Sequence, residues 1–239
     1  MTTAVEGEIR KFDALAGRWW DPSGPMKPLH RMNPLRTGWI GARIAAAHGR
    51  TGRDLSGLSI LDVGCGAGLA SEAFARMGAQ VTGLDAAGEA LEAARAHAEA
   101  GGLEIDYREG TPEELAAEGA RFDAVVALEV IEHVEDRPAF CAALAALAKP
   151  GGGQIFLSTL NRTARSFLMA KVGAEYVLRM LPVGTHDWRM FVTPGELGTE
   201  LRRAGLQVTD IAGMTMDPLT GRWRESRDLG VNYLMAARR

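Results

Sequence analysis

The sequence predicts an α/β fold: a doubly wound, mostly parallel seven-stranded sheet with helices on both faces. Three observations carry that prediction. From Ser59 onward, short apolar runs alternate with segments of helical spacing, the rhythm of a sheet built from strand–helix units. A glycine-rich loop directly follows the first of those runs. The composition is that of an ordinary globular chain, 239 residues with 46% hydrophobic and 24% charged, long enough to bury a core without staples.

In chain order, residues 1–50 read as a lid segment. They hold Trp19, Trp20 and Trp39, with Pro22, Pro25, Pro28 and Pro34 among them. Prolines at that density interrupt regular structure. A short helix is therefore expected over Glu8–Leu15, then a loop, then a helix over Gly38–His48. Residues 51–239 form the main domain. Its strands are expected at Ser59–Val63, Gln80–Leu84, Glu104–Arg108, Phe122–Leu128, Gln154–Thr159, Leu206–Ile211 and Val231–Ala236. Helical spacing marks Leu69–Met77, Glu89–Ala100, Pro112–Glu118, Arg137–Ala148 and Pro194–Ala204. An insertion over residues 160–190 breaks the rhythm. Within Ser166–Val183 the charged residues Lys171, Glu175 and Arg179 fall on one narrow stripe, and the rest of that helix is apolar or small. So wide an apolar surface is either buried or applied to lipid.

A net charge of −3 argues against broad nucleic-acid binding, which runs on excess positive charge. Cys65 and Cys141, the only cysteines, are too few for a disulfide framework or a cysteine zinc site, so a reducing, cytoplasmic setting is expected. The N-terminus lacks a signal-type apolar core. No uncharged apolar stretch reaches the roughly 18–20 residues that a spanning helix needs.

The loop Asp62-Val-Gly64-Cys-Gly66-Ala-Gly68 opens a helix. Glycines there allow a tight turn and close approach to a ligand, and amides at a helix N-terminus attract an anion. A dinucleotide site wants G-x-G-x-x-G, yet Leu69 stands where the third glycine would be. Asp85 ends the second strand, where a carboxylate can accept both hydroxyls of a ribose. D-V-G-C-G-A-G followed by G-L-D resembles a class I S-adenosylmethionine-dependent methyltransferase. That resemblance implies a Rossmann-like fold, the cofactor's carboxylate near the glycine loop, its ribose on Asp85, and Leu128 flanking it.

Glu129, Glu132 and His133 follow the fourth strand as E-x-x-E-H, at the edge toward which the methyl group would point. Two carboxylates and an imidazole suit a hard divalent ion, Mg²⁺ or Mn²⁺, and after them Zn²⁺. Such an ion would make a phenol a better nucleophile by lowering its pKa. His186, in Gly184-Thr-His-Asp-Trp188, would be a fourth ligand, or a general base without metal. The plain alternative is that both glutamates are solvated residues at a helix start.

Flanking motifs narrow the reading. Trp19-Trp20-Asp21, Pro28-Leu-His30, Asn33-Pro34-Leu-Arg36, Ser158-Thr-Leu-Asn161-Arg162, Gly184-Thr-His-Asp187 and Val231-Asn-Tyr233 resemble the ubiquinone biosynthesis O-methyltransferase family. The resemblance implies methylation of ring hydroxyls on a polyprenyl-6-hydroxyphenol and on demethylubiquinol. Carried onto matching positions, it places cofactor contacts at Arg36, Gly64, Asp85 and Leu128, with Gly66 in the same loop. A guanidinium at Arg36 can pair with the cofactor's carboxylate in a fork; otherwise Arg36 is a surface arginine stacked on Trp39. Glu132, His133 and His186 are the candidate catalytic residues. Residues 160–190 carry five basic against two acidic residues, a net +3 that leaves −6 on the rest of the chain. That suits peripheral docking on the anionic inner membrane and on a ubiquinone-biosynthesis complex. Competing readings are a metal-dependent RNA 2′-O-methyltransferase, an NAD-dependent oxidoreductase and a catalytically silent binding module.

Overall fold

The computed structural model describes Thr3 and residues 16–168, 188–217 and 220–239. The helix expected over Glu8–Leu15, most of the one over Ser166–Val183, and His186 lie outside the described residues.

The elements are α1 (Lys27–Ala47), β1 (Ser59–Val63), α2 (Leu69–Arg76), β2 (Gln80–Asp85), α3 (Gly88–Ala100), β3 (Asp106–Glu109), α4 (Pro112–Ala117), β4 (Ala124–Leu128), α5 (Arg137–Leu147), β5 (Gln154–Leu160), α6 (Pro194–Arg203), β6 (Gln207–Met216), β7 (Trp223–Ser226) and β8 (Asn232–Arg238). Short 3₁₀ turns lie at Ala16–Arg18, Ile131–His133 and Trp188–Met190, and a helical turn at Ala164–Ser166. The strands form one sheet in the order β3-β2-β1-β4-β5-β8-β6-β7. β1 to β5 pair in parallel, and β8 enters antiparallel between β5 and β6. Strand order reverses between β1 and β4, the place where open α/β sheets bind ligands beyond the strands' carboxyl ends.

Two expectations need correction. The described sheet has eight strands, not seven, because β6 runs on to Met216 and β7 pairs back on it. Trp-Arg-Glu-Ser has no apolar alternation, so only the hairpin partner makes it a strand. The other correction concerns α1, which begins at Lys27 and passes through Pro34. Pro28 sits in the first turn, where no N–H is needed. Pro34 forfeits an interior bond at about 3 kcal/mol. Trp39, Ile40 and Ile44 on the same helix are buried, each worth roughly 1.5–3 kcal/mol, so packing outweighs the break.

Helices cover both faces. Trp39, Ile40 and Ile44 of α1 and Phe74 of α2 pack on Ile60, Val126, Phe156 and Leu234. On the opposite face Phe140 and Leu144 of α5 and Leu197 and Leu201 of α6 pack on Leu61, Val125, Leu157 and Tyr233. The carboxyl ends of β1, β2, β4 and β5 stay free of these layers and hold the polar groups.

Candidate active site

At the end of β1 the chain turns through Gly64, Gly66 and Gly68, all in the left-handed region at φ 68°, 53° and 86°. Only glycine holds such angles without strain. Contacts add a second reason at all three, a Cβ on Gly64 standing 2.4 Å from Val130 Cγ2. A Cβ on Gly66 would stand 2.4 Å from the Trp19 ring, and one on Gly68 would stand 2.1 Å from Tyr107 Oη. The amides of Gly64 and Cys65 donate to the Leu84 carbonyl at 2.7 and 3.2 Å, tying the loop to the end of β2. Asp85 completes the tie: Oδ2 accepts Gly66 N–H at 2.7 Å and Oδ1 accepts Ala87 N–H at 2.9 Å. Asp85 thus shapes the loop from the end of β2.

Below the loop, Asp62 is buried and accepts the Ser71 hydroxyl at 2.6 Å. Burial pushes its carboxyl up to about 6, against the pull of Ser71 and Arg36. Arg36 is no surface residue: it is buried at 4% exposure, with Nη1 3.8 Å from Glu129 Oε1. The arginine that lies over Trp39 is Arg43, 3.5 Å from the ring centroid. Burial lowers the Arg36 pKa, while Glu129, Asp62 and Glu132 hold the charge in place. Among the described residues its Nε–H has no partner, and a buried donor left unpaired costs about 1–3 kcal/mol. An anionic ligand beside the glycine loop would satisfy it, so these residues fit the carboxylate end of S-adenosylmethionine.

The segment before α1 closes on the same loop. Trp19 is buried against Gly66 and Ala67. Trp20 Nε1–H donates to the Ala67 carbonyl at 3.0 Å, and its ring stacks on His97 with centroids 3.4 Å apart and planes 2° apart. His97 Nδ1 lies 2.5 Å from Oε1 of the fully buried Glu72, whose Oε2 accepts from Arg76 at 2.8 Å. Sequence reading missed Glu72 and His97, because a glutamate and a histidine on amphipathic helices give no sign of facing inward.

Beyond β4, Leu128 is partly buried against the α1 side of the core. Glu129 follows with φ 57°, the one described non-glycine residue in the left-handed region. That costs on the order of 1–3 kcal/mol and turns the side chain back toward β5. There Ser158 Oγ donates to Glu129 Oε1 at 2.6 Å, while Glu129 N–H bonds the Ser158 carbonyl at 3.0 Å. The turn Ile131–His133 buries Glu132, whose Oε2 accepts the Thr159 hydroxyl at 2.8 Å. Burial, then the neighbouring Glu129, pushes the Glu132 carboxyl up to about 8, against the pull of His133 and Thr159. Neither glutamate is a solvated helix-start residue.

The structure therefore brings Arg36, Asp85, the glycine loop, Glu129, Glu132 and His133 to one end of the sheet. It does not converge them on a metal. Among the described residues no three His, Cys, Asp or Glu side chains stand close enough to hold an ion, and His186 lies outside them. Each glutamate gives one oxygen to a β5 hydroxyl.

Residues 61–156 match the family described as methyltransferase domain. The fold is shared with the magnesium protoporphyrin IX methyltransferase of Synechocystis PCC 6803 with bound S-adenosylmethionine, at TM-score 0.63 and 20% identity over 100% of both chains. Fold and family define a class I S-adenosylmethionine-dependent methyltransferase. The chain is 51% identical over 235 residues to the ubiquinone biosynthesis O-methyltransferase of Methylobacterium nodulans, covering 97% of this chain and 94% of that one. It is 52% identical over 239 residues to the protein of that name from Dinoroseobacter shibae, covering 98% and 96%. The chain belongs to the ubiquinone biosynthesis O-methyltransferase family.

Proposed function

We propose that this enzyme methylates ring hydroxyls of polyprenyl phenols and quinols in ubiquinone biosynthesis, acting on a 2-polyprenyl-6-hydroxyphenol and on 3-demethylubiquinol. The observation that carries the reading is near-full-length identity of about half to proteins of that name. The cofactor supplies an electrophilic methyl group on a sulfonium centre. The chain's own part is orientation and proton handling. Arg36 holds the cofactor's carboxylate, Asp85 its ribose, and Leu128 the apolar side of its pocket. Glu132 and His133 stand at the edge where the attacking hydroxyl must lose its proton, and accepting that proton is the role of these two and of His186. Trp19 and Trp20 close the loop side and keep water from the reacting atoms.

A divalent ion, Mg²⁺ before Mn²⁺ or Zn²⁺, would take Glu129, Glu132, His133 and His186 as ligands, and the described ones would have to move together to hold it. It would lower the hydroxyl's pKa and fix its direction of attack. The donor types, two carboxylates with imidazole nitrogens, support this reading. Transfer of labelled methyl to a short-chain demethylubiquinol, with Mg²⁺ and with excess EDTA, tests both statements. Loss in EDTA and recovery with metal is the expected result. Full activity in EDTA removes the ion and leaves the histidines as bases; no transfer under either condition removes the acceptor.

No described helix is long and apolar enough to cross a membrane. A polyprenyl acceptor still lives in lipid, and we place the 160–190 insertion against an anionic bilayer. Phe167 and Leu168 at its start are 37% and 60% exposed, and Met190 at its end is 39% exposed. Co-sedimentation with vesicles containing phosphatidylglycerol should fall when Phe167 and Leu168 are both changed to Asp. Undiminished binding of that double variant overturns the placement.

A further inference from the structure

β5 is a core strand whose apolar residues Ile155, Phe156 and Leu157 are fully buried, yet it continues with Ser158 and Thr159, also fully buried. A hydroxyl in such a place is costly unless bonded. Each bonds a single glutamate, Ser158 to Glu129 and Thr159 to Glu132. Consecutive strand residues point to opposite faces. Ser158 pairs with Leu234 and Thr159 with Tyr233, which belong to the α1-side and α5-side layers of the core. Glu129 is therefore drawn to the α1 face beside Arg36, and Glu132 to the opposite face, the Tyr233 side.

We infer that Ser158 and Thr159 are a pair of positioning residues that give the two glutamates of E-x-x-E-H different tasks. Ser158 holds Glu129 Oε1 at 2.6 Å and so keeps it 3.8 Å from the guanidinium, short of a close ion pair. Without that hydroxyl, Glu129 turns onto Arg36 and competes with the cofactor's carboxylate. Thr159 fixes Glu132 without touching the cofactor side. The loss of Ser158 is thus felt in cofactor binding and turnover, and the loss of Thr159 in turnover alone. The inference rests on the proposed methyl transfer for its kinetic half and on cofactor binding for the other.

The experiment compares Ser158→Ala, Thr159→Val and their conservative counterparts Ser158→Thr and Thr159→Ser in two assays. One is calorimetric binding of S-adenosylmethionine; the other is steady-state transfer to short-chain demethylubiquinol. Orienting partners of this kind typically contribute about 10–100-fold. Thr159→Val should lower kcat by about that factor with cofactor affinity unchanged, and Thr159→Ser should restore it. Ser158→Ala should weaken the cofactor by about tenfold, and Ser158→Thr should recover most of it. Thermal melts confirm that each variant is folded. The inference is overturned if Ser158→Ala binds the cofactor as the wild type does, if Thr159→Val weakens it equally, or if Thr159→Ser is as impaired as Thr159→Val. A wild type inactive on demethylubiquinol whose variants still show the split in binding removes the acceptor and keeps the positioning.

Discussion

Replacing Asp85 by alanine is expected to weaken S-adenosylmethionine by about 100-fold while leaving the protein folded, read by calorimetry on the purified variant. Two charge-assisted bonds to the ribose hydroxyls, at about 1.5 kcal/mol each, give about 3 kcal/mol and that factor. A second loss adds to it. The same carboxylate accepts Gly66 N–H and Ala87 N–H, so its removal frees the glycine loop as well as the ribose. Asp85→Asn separates the contributions. The amide keeps one oxygen for Gly66 N–H but turns an NH₂ toward Ala87 N–H and one hydroxyl, and it should fall between wild type and alanine. Equal binding by wild type and Asp85→Ala would put the ribose elsewhere.

Asp85 also shows what kind of site residue is legible in a sequence. It ends a strand of recognisable pattern, at a set distance from a loop with glycines in a fixed spacing, and both signals are local. The strands at Ser59–Val63 and Gln154–Thr159 and the helices at Leu69–Met77 and Pro194–Ala204 were readable for that reason, and the structure places them within a residue or so. The elements that were misread depend on contacts far along the chain. Pro34 spoils a local helix pattern, and only the packing of Trp39, Ile40 and Ile44 on the sheet restores it. β7 exists because β6 is there to pair with. The site divides in the same way. E-x-x-E-H announces itself by residue type, but the partners that orient it do not. Ser158 and Thr159 look like ordinary strand residues until the register sends their hydroxyls to opposite faces. Glu72 and His97 are 25 residues apart in the chain and meet under Trp20 only in the folded protein.

Glu132→Gln should abolish methyl transfer while making the protein more stable at alkaline pH. Amide and carboxyl have the same shape, and the amide oxygen of the new side chain can still accept the Thr159 hydroxyl, so packing and cofactor affinity are retained. Once ionised, near pH 8, the carboxylate can take up a phenolic proton and the amide cannot, so at that pH the loss of a general base costs roughly 10²–10⁴ in rate. The stability effect has the opposite sign to that of an ordinary surface glutamate. In the folded chain Glu132 keeps its proton up to about pH 8, against the ordinary 4.5 once unfolded. Between those limits the folded state binds the extra proton, so the contribution is whole below pH 4.5 and drains away as pH rises toward 8. Asp62 acts in the same direction from 3.8 to about 6, but it is present in both proteins and cancels from the comparison. Melting curves in EDTA, with no ion on the carboxylates, should nearly coincide at pH 5. They should separate by several degrees at pH 8.5, at about 2–4 °C per kcal/mol for a chain of this size, the glutamine variant melting higher. Coincident curves across that range would mean that Glu132 is ionised in the folded protein. An active glutamine variant would move the proton acceptor to His133 or His186.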